Sequence, residues 1–344
     1  MNYFITAPIA LLYACSSDKY KKQSHYYIVT FKGTDDIRNG KKKDMLNVKI
    51  AQALRINYSI VNLQNARKKL NEVTDKSSIV IEQQLISNLL VDSQIKKPLE
   101  TSILAYASDF LLAYSRIPKW PVSFRSIWYS KKFRDSFRKV NIDNFILPSF
   151  PSQFRRFAGK RVITIESESF FASCRKLLSS KQFCELSSNL RLSAQENRIF
   201  VNLHDKILSL DETSHLKKLV ESIENSTNKF CRIILKVHPA CKVSHSELID
   251  FRNNLSELGF YISKLENLSE FPFTPIELLL ASDRQNNYYY GPLTGGVIFT
   301  NYAQCFFTFP VDKKSKKFTL ISYSQFLRRW LSHGFVIHYS KLIK

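Results

Sequence analysis

The sequence predicts an α/β protein built from two doubly wound domains. Three observations carry this reading. Short apolar, β-branched and aromatic runs alternate with segments of helical spacing along the whole chain, the pattern of a parallel sheet wrapped by helices. The length of 344 residues exceeds the roughly 100–200 residues of one domain. Glycine numbers only 8, far below the average of about 7%, which excludes collagen-like, Gly-linker and many-hairpin architectures. A hydrophobic fraction of 44% with 13% aromatic residues is enough to build cores and excludes bulk disorder.

The elements follow in order. Residues 3–6 form a strand, with a turn at Ala7-Pro8 and then a helix, Pro being accepted in a first helical turn. Leu12-Tyr13-Ala14-Cys15 has a faint likeness to a lipoprotein cleavage box, but no Lys or Arg precedes the apolar stretch as a secretory signal requires. Residues 25–31 (HYYIVTF) are a second strand. A helix over 46–54, a strand over 57–63 and a charged helix over 64–73 come next. Residues 78–90 read as a helix, or as a buried strand running into one. A short strand at 103–106 and a strand end at 128–129 complete the first block. The stretch 145–161 holds Pro148, Pro151 and Gly159 and reads as a connector. A strand at 162–165 then leads into a helix over 167–192.

The second block is clearer. Strands are expected at 198–203 (RIFVNL), 231–237 (CRIILKV), 260–263, 288–290 and 304–309. Helices are expected at 211–226, acidic in its first turn, at 246–258, stopped by Gly259, and at 275–282, capped by Thr274. The resulting division is a first domain over 1–150, a connector over 151–195, a second domain over 196–315 and a basic tail over 316–344, packing back on the first domain.

Lys and Arg total 51 against 29 Asp and Glu, a net charge of +22. Such an excess suits nucleic acid, an anionic membrane or anionic small substrates. No RNP, zinc-finger or helix-turn-helix signature is present, so nucleic acid is not expected as partner. Six cysteines at irregular spacing, with no CxxC, point to free thiols rather than a zinc site or a disulfide scaffold. No apolar run reaches the ~20 residues of a membrane span. Neither GxGxxG nor GxxxxGK[ST] occurs.

Ligands of doubly wound sheets bind beyond the carboxyl ends of the strands, and three polar clusters fall there. Lys236-Val237-His238-Pro239 ends the CRIILKV strand. Pro239 biases His238 toward an extended backbone, from which its imidazole could serve a phosphate leaving group; the plainer alternative is a surface histidine at a strand end. Glu277 lies in the first turn of IELLLA, where a carboxylate could accept ribose hydroxyls or simply answer the helix dipole. The segment Gly291-Pro292-Leu293-Thr294-Gly295-Gly296 gathers three of the 8 glycines. It is either a phosphate-cradling turn or a tight turn alone.

The ordered series K-x-H-P, P-x-E and a strand leading to a Thr-Gly turn resembles the bacterial sialyltransferases and polysialyltransferases of GT-B fold. The start, Thr6-Ala7-Pro8-Ile9-Ala10-Leu11-Leu12, is similar to the first strand, turn and helix of that group. The resemblance implies a GT-B-like architecture, two Rossmann-like domains facing each other across a cleft. It implies an inverting, metal-independent transfer of sialic acid from a CMP-sugar, which is a co-substrate rather than a cofactor, to a lipooligosaccharide or capsule glycan. By the same resemblance His238 contacts the donor phosphate, Glu277 the ribose and Thr294 the phosphate, with Lys236, Pro239, Gly295 and Gly296 in the donor site. The group carries two acidic residues followed by Gly in its first domain; here the matching place reads Ser108-Asp109-Phe110. Asp109 is left as the candidate base, with a solvated helix cap as its plainer reading. The departure keeps open a catalytically silent glycan-assembly protein. CMP-sialic acid, a glycan or glycolipid acceptor and an anionic membrane surface are the expected partners, in the cytoplasm at the inner face of the bacterial inner membrane.

Overall fold

The computed structural model describes residues 1–17, 23–30, 37–73, 77–89, 99–106, 142–147, 156–157, 160–190, 196–203, 207–238, 243–263, 273–283, 285–292 and 304–308. Asp109, Pro239, Thr294, Gly295, Gly296, the strand end at 128–129 and the tail from 316 lie outside them. The described chain forms two compact units that divide at Leu177 and Leu178.

The first unit holds β1 (Asn2–Ile5), α1 (Pro8–Ser17), β2 (His25–Thr30), α2 (Ile37–Leu54), β3 (Tyr58–Asn62), α3 (Leu63–Asn71), β4 (Ser78–Glu82), α4 (Ile86–Leu89), β5 (Glu100–Leu104), β6 (Asn144–Leu147), β7 (Arg156–Phe157), β8 (Lys160–Thr164) and α5 (Ser167–Leu178). Its sheet runs β3-β2-β1-β4-β5-β6-β8-β7, parallel throughout except for β7 against β8. The register explains the aromatic content of the first strands. Tyr3 lies opposite Tyr26 and Phe4 opposite Tyr27, and the ring pairs stack at 4.6 and 5.0 Å. Such cross-strand aromatic pairs stabilise a sheet beyond the area they bury. The stretch expected to be a connector instead supplies strands: Phe145 pairs with Val162 and Leu147 with Thr164. Its apolar FIL run is buried within the sheet, and this outweighs the Pro and Gly that suggested a linker.

The second unit holds α6 (Cys184–Leu190), β9 (Glu196–Leu203), α7 (Leu210–Thr227), β10 (Phe230–Val237), α8 (His245–Glu257), β11 (Tyr261–Ile262), α9 (Ile276–Leu280), β12 (Asn287–Pro292) and β13 (Gln304–Thr308). Its sheet order is β11-β10-β9-β12-β13, all parallel. One face is an apolar layer of Ile199, Val201, Leu203, Ile233, Leu235, Tyr288 and Tyr290, covered by Leu216 and Ile223 of α7 and Phe251 and Leu255 of α8. Both helices open with capping boxes, Ser209 with Glu212 and Ser244 with Glu247, each satisfying two otherwise orphaned donors. The helix expected over 167–192 is broken: Ser180 adopts an extended backbone between α5 and α6 and starts a short 3-10 turn. The cap of α9 is Pro275 rather than Thr274, with no side-chain cap bond. Cys15, Cys174 and Cys231 are buried thiols in no disulfide, whereas Cys184 is an exposed one.

The chain is therefore α/β with two parallel sheets. Each follows the order third, second, first, fourth, fifth, in which the direction of winding reverses beside the first strand. No described helix is long and apolar enough to cross a membrane.

Candidate active site

The carboxyl edge of the second sheet collects polar side chains on the face opposite the apolar layer. Strand alternation puts Asn202, Lys236 and Tyr289 there, because their neighbours face the core. Lys236 and Asn202 are register partners across β10 and β9. Asn202 Nδ2 donates to the Tyr289 hydroxyl at 3.0 Å, linking β9 to β12 at the winding reversal. Gly291 completes this edge. Its φ is +154°, and a Cβ there would stand 2.8 Å from the Asn202 carbonyl oxygen and 3.2 Å from the Tyr289 hydroxyl. Only glycine lets the two strands approach so closely.

Lys236 and Glu277 are both buried, an unusual state for either residue type. Burial pushes the Lys236 ammonium down to about 7, and the charge of Glu277 opposes this. Burial likewise raises the Glu277 carboxyl to about 7, opposed by its own backbone N–H and then by Lys236. Both shifts are led by lost hydration, and each group is the other's compensating charge. Lys236 Nζ also donates to the Val237 carbonyl at 3.4 Å. Glu277 enters from α9, whose Leu278, Leu279 and Leu280 are buried beside it. His238 extends the parallel ladder by one residue, its N–H donating to the Leu203 carbonyl at 2.8 Å. That bond fixes a half-buried imidazole at the rim of the sheet.

Of the expected site residues, Lys236, His238 and Glu277 fall at or beside this edge. Asp109, Pro239, Thr294, Gly295 and Gly296 lie outside the described residues. Sequence reasoning missed Asn202 and took Gly291 only as part of a turn. The signal for Asn202 was a single amide inside the apolar run RIFVNL. It also missed Glu82 of the first unit, a carboxylate closing the apolar strand SIVIE.

No protein-family model matches the chain, and a search of curated proteins finds no match. Among solved structures the chain is similar to the GT-B domain of a sialyltransferase from Photobacterium damselae, at 13% identity and a TM-score of 0.49, over 95% of this chain and 96% of that one. It is similar to the N-terminal domain of trehalose-6-phosphate phosphatase from Candida albicans at 9% identity and TM-score 0.43, over 95% and 94% of the two chains. A UDP-forming α,α-trehalose-phosphate synthase from Burkholderia vietnamiensis follows at 8% identity and TM-score 0.42, over 97% and 94%. The two parallel sheets themselves, rather than these likenesses, define the fold of the chain.

Proposed function

We propose that the chain is an inverting, metal-independent glycosyltransferase that moves sialic acid from a CMP-sugar to a lipooligosaccharide or capsule glycan. The observation that carries this reading is the buried, mutually compensating pair Lys236 and Glu277, with His238 following Lys236 at the end of β10, the strand beside the β9–β12 winding reversal, where doubly wound sheets take nucleotides. In the proposed reaction the acceptor hydroxyl oxygen forms a bond to the anomeric carbon as the bond from that carbon to the CMP phosphate breaks. The acceptor proton goes to a base, for which Asp109 is proposed, and His238 donates to the departing phosphate oxygen. Glu277, whose ionised form Lys236 favours against the effect of burial, accepts from the ribose hydroxyls. Thr294, Gly295, Gly296 and Pro239 are proposed to complete the phosphate side of the site. The net charge of +22 favours an anionic donor and attachment to an anionic membrane surface.

Purified protein incubated with CMP-sialic acid and glycan acceptors tests this directly. Transfer, or slow donor hydrolysis without acceptor, is expected with and without chelator, and His238→Ala should lower the rate by about 10²–10⁴-fold, the range for a general acid. CMP binding without turnover on any acceptor would replace this reading with a silent glycan-assembly protein. No CMP binding and an unchanged His238→Ala variant would end it.

A further inference from the structure

The first sheet has the same winding reversal, between β1 and β4, and there a first βα turn presents backbone N–H groups to an anion. In this unit those donors are already taken. Glu82, the last residue of β4, is wholly buried. Its Oε2 accepts from the Thr6 N–H at 2.5 Å and the Ala7 N–H at 3.0 Å, the two residues ahead of α1. Its Oε1 accepts from the Tyr106 hydroxyl at 2.5 Å. The turn is fixed from the α2 side as well: Asn47 Nδ2 donates to the Thr6 carbonyl at 2.9 Å and Lys43 Nζ to the Thr6 hydroxyl at 3.3 Å. Pro8 follows with no N–H to offer. The second sheet differs at the matching strand, where β12 carries Gly291 toward its end and no carboxylate.

We propose that Glu82 keeps phosphate out of the first unit: its carboxyl group, supplied by the chain itself, fills the anion position of the first winding reversal, so a nucleotide phosphate finds no free donors there and the crevice is left to a ligand that brings no phosphate. The assignment to a nucleotide rests on the glycosyltransferase reading; the filled anion position rests on Glu82 and its donors alone. Truncation of the side chain at 82 frees two aligned N–H donors beside Lys43, and a small anion should then enter.

The test uses the full chain, with hydrogen exchange read on the segment 1–17 and thermal unfolding read in parallel. Inorganic phosphate and acetate are compared with chloride at equal ionic strength. In the wild type, neither anion should slow exchange in 1–17 relative to chloride. In Glu82→Ala, acetate should slow that exchange and raise the unfolding temperature more than chloride does. If Glu82→Ala folds only when acetate is present, that recovery is the same result. Phosphate protection of 1–17 in the wild type would overturn the proposal whatever the variant does, and so would a folded Glu82→Ala indifferent to both anions. Glu82→Gln, which keeps the shape and blocks the position, should behave as the wild type; acetate protection there would also count against it. No sugar donor is used, so failure of the transferase reading and failure of this assignment are separate outcomes.

Discussion

Lys236 and Glu277 have relative exposures of 4% and 5%, so neither charge has bulk water to stabilise it. The raised carboxyl means that between its unfolded value of 4.5 and about 7 the folded chain holds a proton that the unfolded chain releases. Stability from this group therefore falls as pH rises through that window. The lowered ammonium acts oppositely: between about 7 and 10.5 the unfolded chain holds the extra proton, and stability rises with pH. Together they place the pair's weakest contribution near neutrality, which suits a functional site better than a structural one. Lys236→Met keeps most of the volume and removes a charge that favours the ionised form of Glu277 against burial. CMP binding that uses the ionised carboxylate should then shift to higher pH, measured by calorimetric titration from pH 6 to 9. An unmoved profile would remove the carboxylate from binding. His238 and Lys236 were readable as K-x-H-P. The pairing of Lys236 with Glu277 was not, because contacts across a sheet edge leave no periodic trace in the sequence.

At the scale of single elements, helix starts and strand cores were legible and the breaks were not. The acidic first turn of α7 suggests a dipole effect, whereas the structure uses Glu212 to complete a capping box with Ser209. The helix break at Ser180 and the strand at 144–147 were hidden, since serine and proline near an apolar run signal either a linker or a cap. Gly259 and Gly291 separate two roles that sequence cannot distinguish. Gly259 has φ +86° and open space where a Cβ would stand, so its role is to end α8. At Gly291 a Cβ would stand 2.8 Å from the Asn202 carbonyl oxygen. Gly259→Ala should therefore cost about 1 kcal/mol of strain and leave CMP affinity intact. Gly291→Ala should cost about 1–3 kcal/mol in strain and displacement of β9 and weaken CMP binding as the Asn202–Tyr289 link is disturbed. Urea unfolding and calorimetry on the two variants check this; equal CMP affinities would separate Gly291 from the site.

The whole molecule pairs two sheets of one winding order with unlike winding reversals. In the first, the turn ahead of α1 is closed by Glu82; in the second, Asn202, Lys236 and Gly291 form an edge with no described carboxylate among the strand ends. The alternation of strands and helices made both sheets legible, and the low glycine count drew the eye to Gly291. The asymmetry was hidden, because one buried carboxylate at the end of SIVIE resembles any polar strand terminus. A ligand that binds the folded state stabilises what it touches by about 2.7 kcal/mol at a hundred times its Kd. CMP at that excess should slow hydrogen exchange in segments 196–203, 230–238 and 276–292, and leave 1–17 and 78–89 unchanged. Protection confined to the first unit, or shared equally by both, would contradict the division of ligands that the two strand ends imply.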